Sequence, residues 1–192
     1  MNIQNPTDRH GQDGRHSESD GRAAHSLSPR PVRDSQSQMA EVVLPNDANP
    51  LGNLLGGRLM HLIDIAGAIA AHRHSHSHVV TASMDHIDFR LPVKIGDLLI
   101  LKSSVNRAFN TSMETGVKCW VENYISGDTR HVASAYLTFV AVDEHGKRKP
   151  VPGLIPETEE DKRRYEDAGR RRELRTEEAA RRAEISQKNQ NL

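Results

Sequence analysis

The stretch DANPLGNLLGGRLMHLIDIAGAIAAH, Asp47 to His72, decides how this chain folds. From Leu54 onward it is apolar almost without interruption, it is headed by Gly56 and Gly57, and a single carboxylate, Asp64, stands in its middle. Apolar residues recur at helical spacing and occupy nearly every side, so the run predicts a helix over about Gly57 to Ala71, buried all round. Arg58, His61 and Asp64 interrupt it, and it is short for a membrane span.

At 3.6 residues per turn, Asp64 shares its face with Gly57, Met60, His61, Gly67, Ala68 and Ala71, which are mostly small or polar. Leu59, Leu62, Ile63, Ile65, Ala66 and Ile69 lie on the other side and can fill a core. Asp64 therefore looks down a lane without bulky side chains. An ionised carboxylate there is costly unless it is hydrogen-bonded or reached by water. It is a candidate general base or nucleophile, or else a structural Asp held by a neighbouring Ser, His or amide. The helix alone leaves both readings open.

The head of the helix adds chemistry. Gly56 and Gly57 have no Cβ to block a ligand, and first-turn amides can donate to a carbonyl oxygen as an oxyanion hole does. Asp64 lies about 10 Å further along the axis, with its side chain leaning back toward the glycines. Asn49, in the preceding loop, can both donate and accept, so it could orient water or substrate; beside Pro50 it also fits ordinary turn chemistry.

Working outward, a short strand is expected at Glu41 to Leu44 before this stretch and four after it: Val79 to Arg90, Asp97 to Phe109, Ser112 to Tyr124 and His131 to Asp143. The turn signals PVKIGD, FNTS and SGDT separate them. In the third, Met113, Thr115, Val117, Cys119 and Val121 alternate with Glu114, Gly116, Lys118, Trp120 and Glu122, as in a strand with two unlike faces. One apolar helix among strands joined by tight connections implies an α+β fold, an antiparallel sheet wrapped around one central helix. Such a sheet has an open edge, which favours a second copy.

Residues 1–38 carry hardly any aliphatic side chains and are expected to be a disordered tail, leaving one domain over 39–156. The stretch 157–192 is dense in Glu and Arg, with Glu166 and Arg170, Asp167 and Arg171, Glu177 and Arg181, and Glu178 and Arg182 four apart. That pattern predicts an exposed, charged helical extension.

The 192 residues suit one domain, and 26 basic against 26 acidic residues give zero formal charge, with no global field toward nucleic acid or an anionic membrane. The lone Cys119 cannot form an internal disulfide, and no apolar leader or membrane anchor is recognisable. A cytoplasmic setting, with neither nucleic acid nor membrane as partner, is the expectation.

The runs LPNDANPLGNLLGGRLMHLIDIAGAIAA, VVTASMDHIDFRLPVKIGD, NTSMETGVKCWVEN, RHVASAYLTFVAVD and VPGLIPETEEDKRRYEDA resemble, in order, the hotdog-fold acyl-CoA thioesterases of the acyl-CoA hydrolase type. The resemblance covers about residues 42–168. It implies a hotdog fold and hydrolysis of a fatty acyl-CoA thioester to free acid and coenzyme A. It puts the catalytic pair on Asn49 and Asp64, often contributed by opposite protomers, and the carbonyl-polarising amide on Gly56 or Gly57. Thr111 and Ser112 would border the coenzyme A site, with Arg90 and Arg107 as further partners for its phosphates. It also implies a homodimer, commonly assembled into a homohexamer, and no cofactor beyond the coenzyme A of substrate and product.

The alternating imidazoles of HRHSHSH, His72 to His78, could bind Zn or Ni, but the loop lacks a cysteine or carboxylate, and no metal is expected. Two rivals remain at this level. One is a non-catalytic acyl-CoA sensor on the same fold, whose basic C-terminal residues would contact nucleic acid; nothing reads as a helix-turn-helix. The other is a hotdog dehydratase, for which His61, inside the helix, is not in the loop position such enzymes use.

Overall fold

The computed structural model describes residues 27–85 and 87–190. Strands β2 (Ser37–Val42), β3 (His78–Met84), β4 (Asp88–Phe89), β5 (Leu98–Ala108), β6 (Ser112–Glu122) and β7 (Thr129–Val142) form one antiparallel sheet in the order β2-β5-β6-β7-β3, with β4 also on β7. A short parallel pair, β1 (Arg30–Pro31) with β8 (Leu154–Ile155), lies outside it. Helix α1 (Gly56–Ser75) packs on the inner face and helix α2 (Glu159–Gln190) on the outer.

The alternation in β6 sorts the two faces as its sequence predicts. Met113, Thr115, Val117, Cys119 and Val121 are buried toward α1. They meet Leu59, Leu62, Ile63 and Ala66 of the helix, together with Leu99, Leu101, Leu137 and Phe139, in one core. Each large aliphatic side chain sealed there contributes about 1.5–3 kcal/mol. Cys119 is a buried free thiol, and burial pushes it up to about 12, so it packs as an apolar group.

Three expectations change. Helix α1 is not buried all round: Gly57, Met60 and His61 are exposed and Asp64 is half-buried, because in one chain the sheet covers only one side of it. The ordered chain begins before Met39, since Val32 and Ser35 are buried, the Ser35 hydroxyl accepts from the Val105 amide at 2.9 Å, and β2 starts at Ser37. The part of the expected tail before Leu27 lies outside the described residues.

The third change concerns α2, whose first half is docked and not a free extension. Ala168 and Gly169 are buried, and Arg107 stacks on Tyr165 at 4.3 Å and donates to its carbonyl. Fully buried Glu114 receives two hydrogen bonds from Arg171, at 2.6 and 3.2 Å, and one from Asn106 at 3.1 Å. Arg175 lies 3.5 Å from Glu114 and 2.6 Å from Asp85. Beyond Arg175 the described side chains are exposed, and there Glu178 and Arg182 pair as their spacing predicts. Arg171 instead leaves its helical neighbour Asp167 for the sheet.

Candidate active site

Helix α1 presents Asp64 at the border between its core-facing side and its open side. Thr81 of β3 donates its hydroxyl to Asp64 Oδ1 at 2.7 Å. A β-bulge between Thr81 and Ser83 interrupts the β3–β7 register next to that contact, and bulges re-aim side chains. The carboxylate is thus hydrogen-bonded and still reachable, the condition under which a polar side chain is tolerated in an apolar run. Thr81 was not identified from the sequence. Its only signal was a hydroxyl in the strand after the helix, and the helix-to-strand turn that places it is not visible in composition.

Gly56 and Gly57 open α1, preceded by extended Leu55 with no side-chain cap, so the first-turn amides find no acceptor within the helix. A Cβ on Gly57 would meet nothing within 4 Å, whereas one on Gly56 would lie 3.7 Å from the Phe89 ring. Donors aimed outward beside an apolar wall suit a carbonyl oxygen. The preceding loop is tied to the helix by Arg58, which pairs with Glu41 and Asp47 at 3.1 Å each. Inside it, Asn49 Oδ1 accepts from the Leu51 and Asn53 amides at 3.0 and 3.2 Å. Its carbonyl end does turn chemistry, which leaves the amide NH2 as the end that can donate outward. In one protomer Asp64 bonds Thr81, two turns along the helix from the loop that holds Asn49.

This geometry has known counterparts. The family model of the thioesterase superfamily matches residues 51–124. The uncharacterized acyl-CoA thioester hydrolase YkhA of Bacillus subtilis is 41% identical over 67% of this chain and 75% of its own. This chain belongs to the acyl-CoA thioesterases of that superfamily. Acyl-coenzyme A thioesterase 11 of mouse is 38% identical over 76% of this chain, which spans only 25% of that longer protein. Among solved structures, an apo-hexameric acyl-CoA thioesterase superposes with a TM-score of 0.77 at 42% identity, covering 80% of this chain and 98% of that one. Acyl-CoA hydrolase of Staphylococcus aureus, in complex with butyryl coenzyme A and coenzyme A, superposes with a TM-score of 0.75 at 38% identity, covering 85% and 98%. The same S. aureus enzyme has been solved as alanine variants of an asparagine, an aspartate and a threonine. The first two lie 15 residues apart and the last two 17, the separations of Asn49, Asp64 and Thr81 here.

In this thioesterase the residues expected at coenzyme A lie apart from Asp64 within one protomer. Thr111 ends the β5–β6 turn and Ser112 opens β6, at the end of β5 remote from the loop that pairs with the glycine end of α1. Ser112 accepts from Arg172 at 3.3 Å, and Arg107 is engaged by Tyr165 and Phe109. Arg90 is exposed beside β4. One protomer therefore brings Asp64 and Thr81 together but does not gather these four around them.

The imidazoles of His72 to His78 also diverge. His72 Nδ1 pairs with the Ser77 carbonyl at 2.8 Å, His76 caps α1 with φ 46°, and His78 starts β3. His74 is buried with Nε2 on the Pro152 carbonyl at 2.9 Å, and burial lowers its pKa. Among the described residues no three His, Cys, Asp or Glu gather as a metal site, and no helix is long and apolar enough to cross a membrane.

Proposed function

We propose that this protein hydrolyses the thioester of fatty acyl-CoA on the open face of α1. The observation that carries the reading is the reachable Asp64 carboxylate, held by Thr81 two turns from the free amides of Gly56 and Gly57. The carbonyl oxygen binds at those amides, which stabilise the negative charge that develops on it. Asp64 then takes a proton from water as the water oxygen attacks the carbonyl carbon. The C–S bond breaks, coenzyme A leaves as thiolate, and the proton passes on to it. In the alternative route Asp64 attacks directly, forming a mixed anhydride that water opens. Asn49 orients the water or the substrate, and Thr111, Ser112, Arg90 and Arg107 are the groups proposed for coenzyme A.

The site works between two copies. Met60, Val80 and Phe89 are 41%, 50% and 52% exposed around Asp64 and the β3 edge, and Leu51 and Leu55 continue the apolar rim. Pairing along β3 would bury that rim and bring Asn49 of a second copy toward Asp64, and three such dimers give a hexamer. The buried reduced thiol of Cys119 suits a cytoplasmic setting.

A free-thiol assay with butyryl-CoA, run on wild type, Asp64→Ala and Asn49→Ala, tests the reading. Wild type should release coenzyme A and both variants should lose most of it. Wild type that binds acyl-CoA without cleaving it would make the protein a sensor. In single-turnover hydrolysis in heavy-oxygen water, a first product without label marks direct attack, because water then opens the anhydride at the Asp64 carbon and the product keeps an enzyme oxygen.

A further inference from the structure

The proposed site leaves open how long an acyl chain it accepts, and the packing of α1 on the sheet bears on this directly. Gly67 lies one turn beyond Asp64 on the same side of the helix and is buried. A Cβ placed on it would stand 2.9 Å from Thr115 Oγ1 and 3.0 Å from Phe139 Cε2. There is no space for even a methyl group between Gly67 and the sheet, and so none for a polymethylene chain at that point. Phe139, 1% exposed, is the register partner of Thr81 across β3 and β7, so its ring shares a face with the hydroxyl that holds Asp64. Ala71, a further turn on, is fully buried. Of the small residues beyond Asp64 in the lane, only Ala68 is half-open, about 6 Å along the axis.

Building on the hydrolase reading, we infer that Phe139, pressed against Gly67, is the floor of the acyl site and makes the enzyme select short acyl groups. The thioester carbonyl sits toward the glycines, the acyl chain runs past Asp64 along α1, and it ends at the phenyl ring. A longer chain must move a ring locked in the core or lift α1 from the sheet, and each methylene that does not fit costs on the order of 10–200-fold in discrimination.

The test compares kcat/KM for acetyl-, butyryl-, octanoyl- and palmitoyl-CoA on wild type, Phe139→Leu and Phe139→Ala. Wild type should prefer butyryl-CoA to palmitoyl-CoA by at least about 100-fold. Both variants should raise the octanoyl-to-butyryl ratio about tenfold or more, Phe139→Ala the further of the two. A ratio on one preparation is independent of the folded fraction, so destabilisation of the variants does not mimic the result. Leu101→Ala, a core truncation away from the lane, should leave the ratio unchanged. Wild type that cleaves palmitoyl-CoA as well as butyryl-CoA would overturn the floor while leaving the hydrolase standing, and so would variants with an unaltered ratio. Release from none of the four substrates would instead overturn the hydrolase reading, and the role of Phe139 with it.

Discussion

Helices α1 and α2 lie on opposite faces of the same sheet, but they are held there by different means. Under α1 the contact is mostly apolar, Leu59, Leu62, Ile63 and Ala66 against the inward residues of β5, β6 and β7, with no ion pair among them. Under α2 it is Arg171 and Arg175 on buried Glu114, with Arg171 stacked on Tyr136 at 3.7 Å and Arg172 on Phe109 at 4.1 Å. The apolar contact tolerates a carboxylate at its margin because packing of uncharged groups holds the helix, and that leaves Asp64 free of any ion pair across it. In the ionic contact every charge is committed to a partner, since an unpaired charge at Glu114 is expensive. The contrast teaches that burial of a charge marks architecture on the outer face, while on the proposed reading half-exposure marks function on the inner one.

The contrast can be broken most sharply at its two carboxylate centres. Asp64→Ala should reduce kcat by about 10²–10⁴-fold while shifting the denaturation midpoint little, as measured by thiol release and urea unfolding. Arg171→Ala should do the reverse: it leaves Glu114 short of its main partner and destabilises the fold by about 3 kcal/mol, with kcat per folded enzyme near wild type. If either variant produced the other's signature, the division of labour between the faces would be wrong.

Smaller effects sharpen it. Thr81→Val removes the hydroxyl donated to Asp64 and should lower kcat about tenfold, without the loss of fold that Arg171→Ala brings. His74 tests the rear of α1 through pH. Burial lowers its pKa and favours the neutral ring in the folded protein, with Nε2–H on Pro152 and Nδ1 buried without a partner among the described residues. The unfolded imidazole takes a proton near pH 6.5, so stability should be full above that pH and fall below it, levelling off under the folded value. Urea midpoints from pH 7.5 to 5.5 should show this slope in wild type and less of it in His74→Gln. At the bottom of the scale, Arg182→Ala in the exposed half of α2 should change stability by less than about 0.5 kcal/mol.

The inner face was legible in sequence because its signal is local. The spacing of Leu59, Leu62, Ile63 and Ala66 marks a helix side, and the alternation from Met113 to Val121 marks a sheet face, each within one element. The outer face was not, because Glu114 and Arg171 are 57 residues apart and nothing near either one announces the other. Arg171 even has a local decoy in Asp167, four residues before it, which the structure passes over. Asp64 and the glycines could be placed by helical geometry, whereas Thr81 required knowledge of the turn at His76 and the bulge after Thr81. The extent of the open face on α1 was also hidden, since an apolar helix that meets its own sheet and one that meets a second copy carry the same pattern.

The most direct measurement is a crystal structure of Asp64→Ala soaked with butyryl-CoA. The account predicts the thioester carbonyl at the amides of Gly56 and Gly57, with its carbon facing position 64 on the open side of α1. Butyryl-CoA seated instead in the cavity of about 750 Å³ between the outer face of the sheet and α2, lined by Lys102, Trp120, Tyr136 and Arg164, would contradict it.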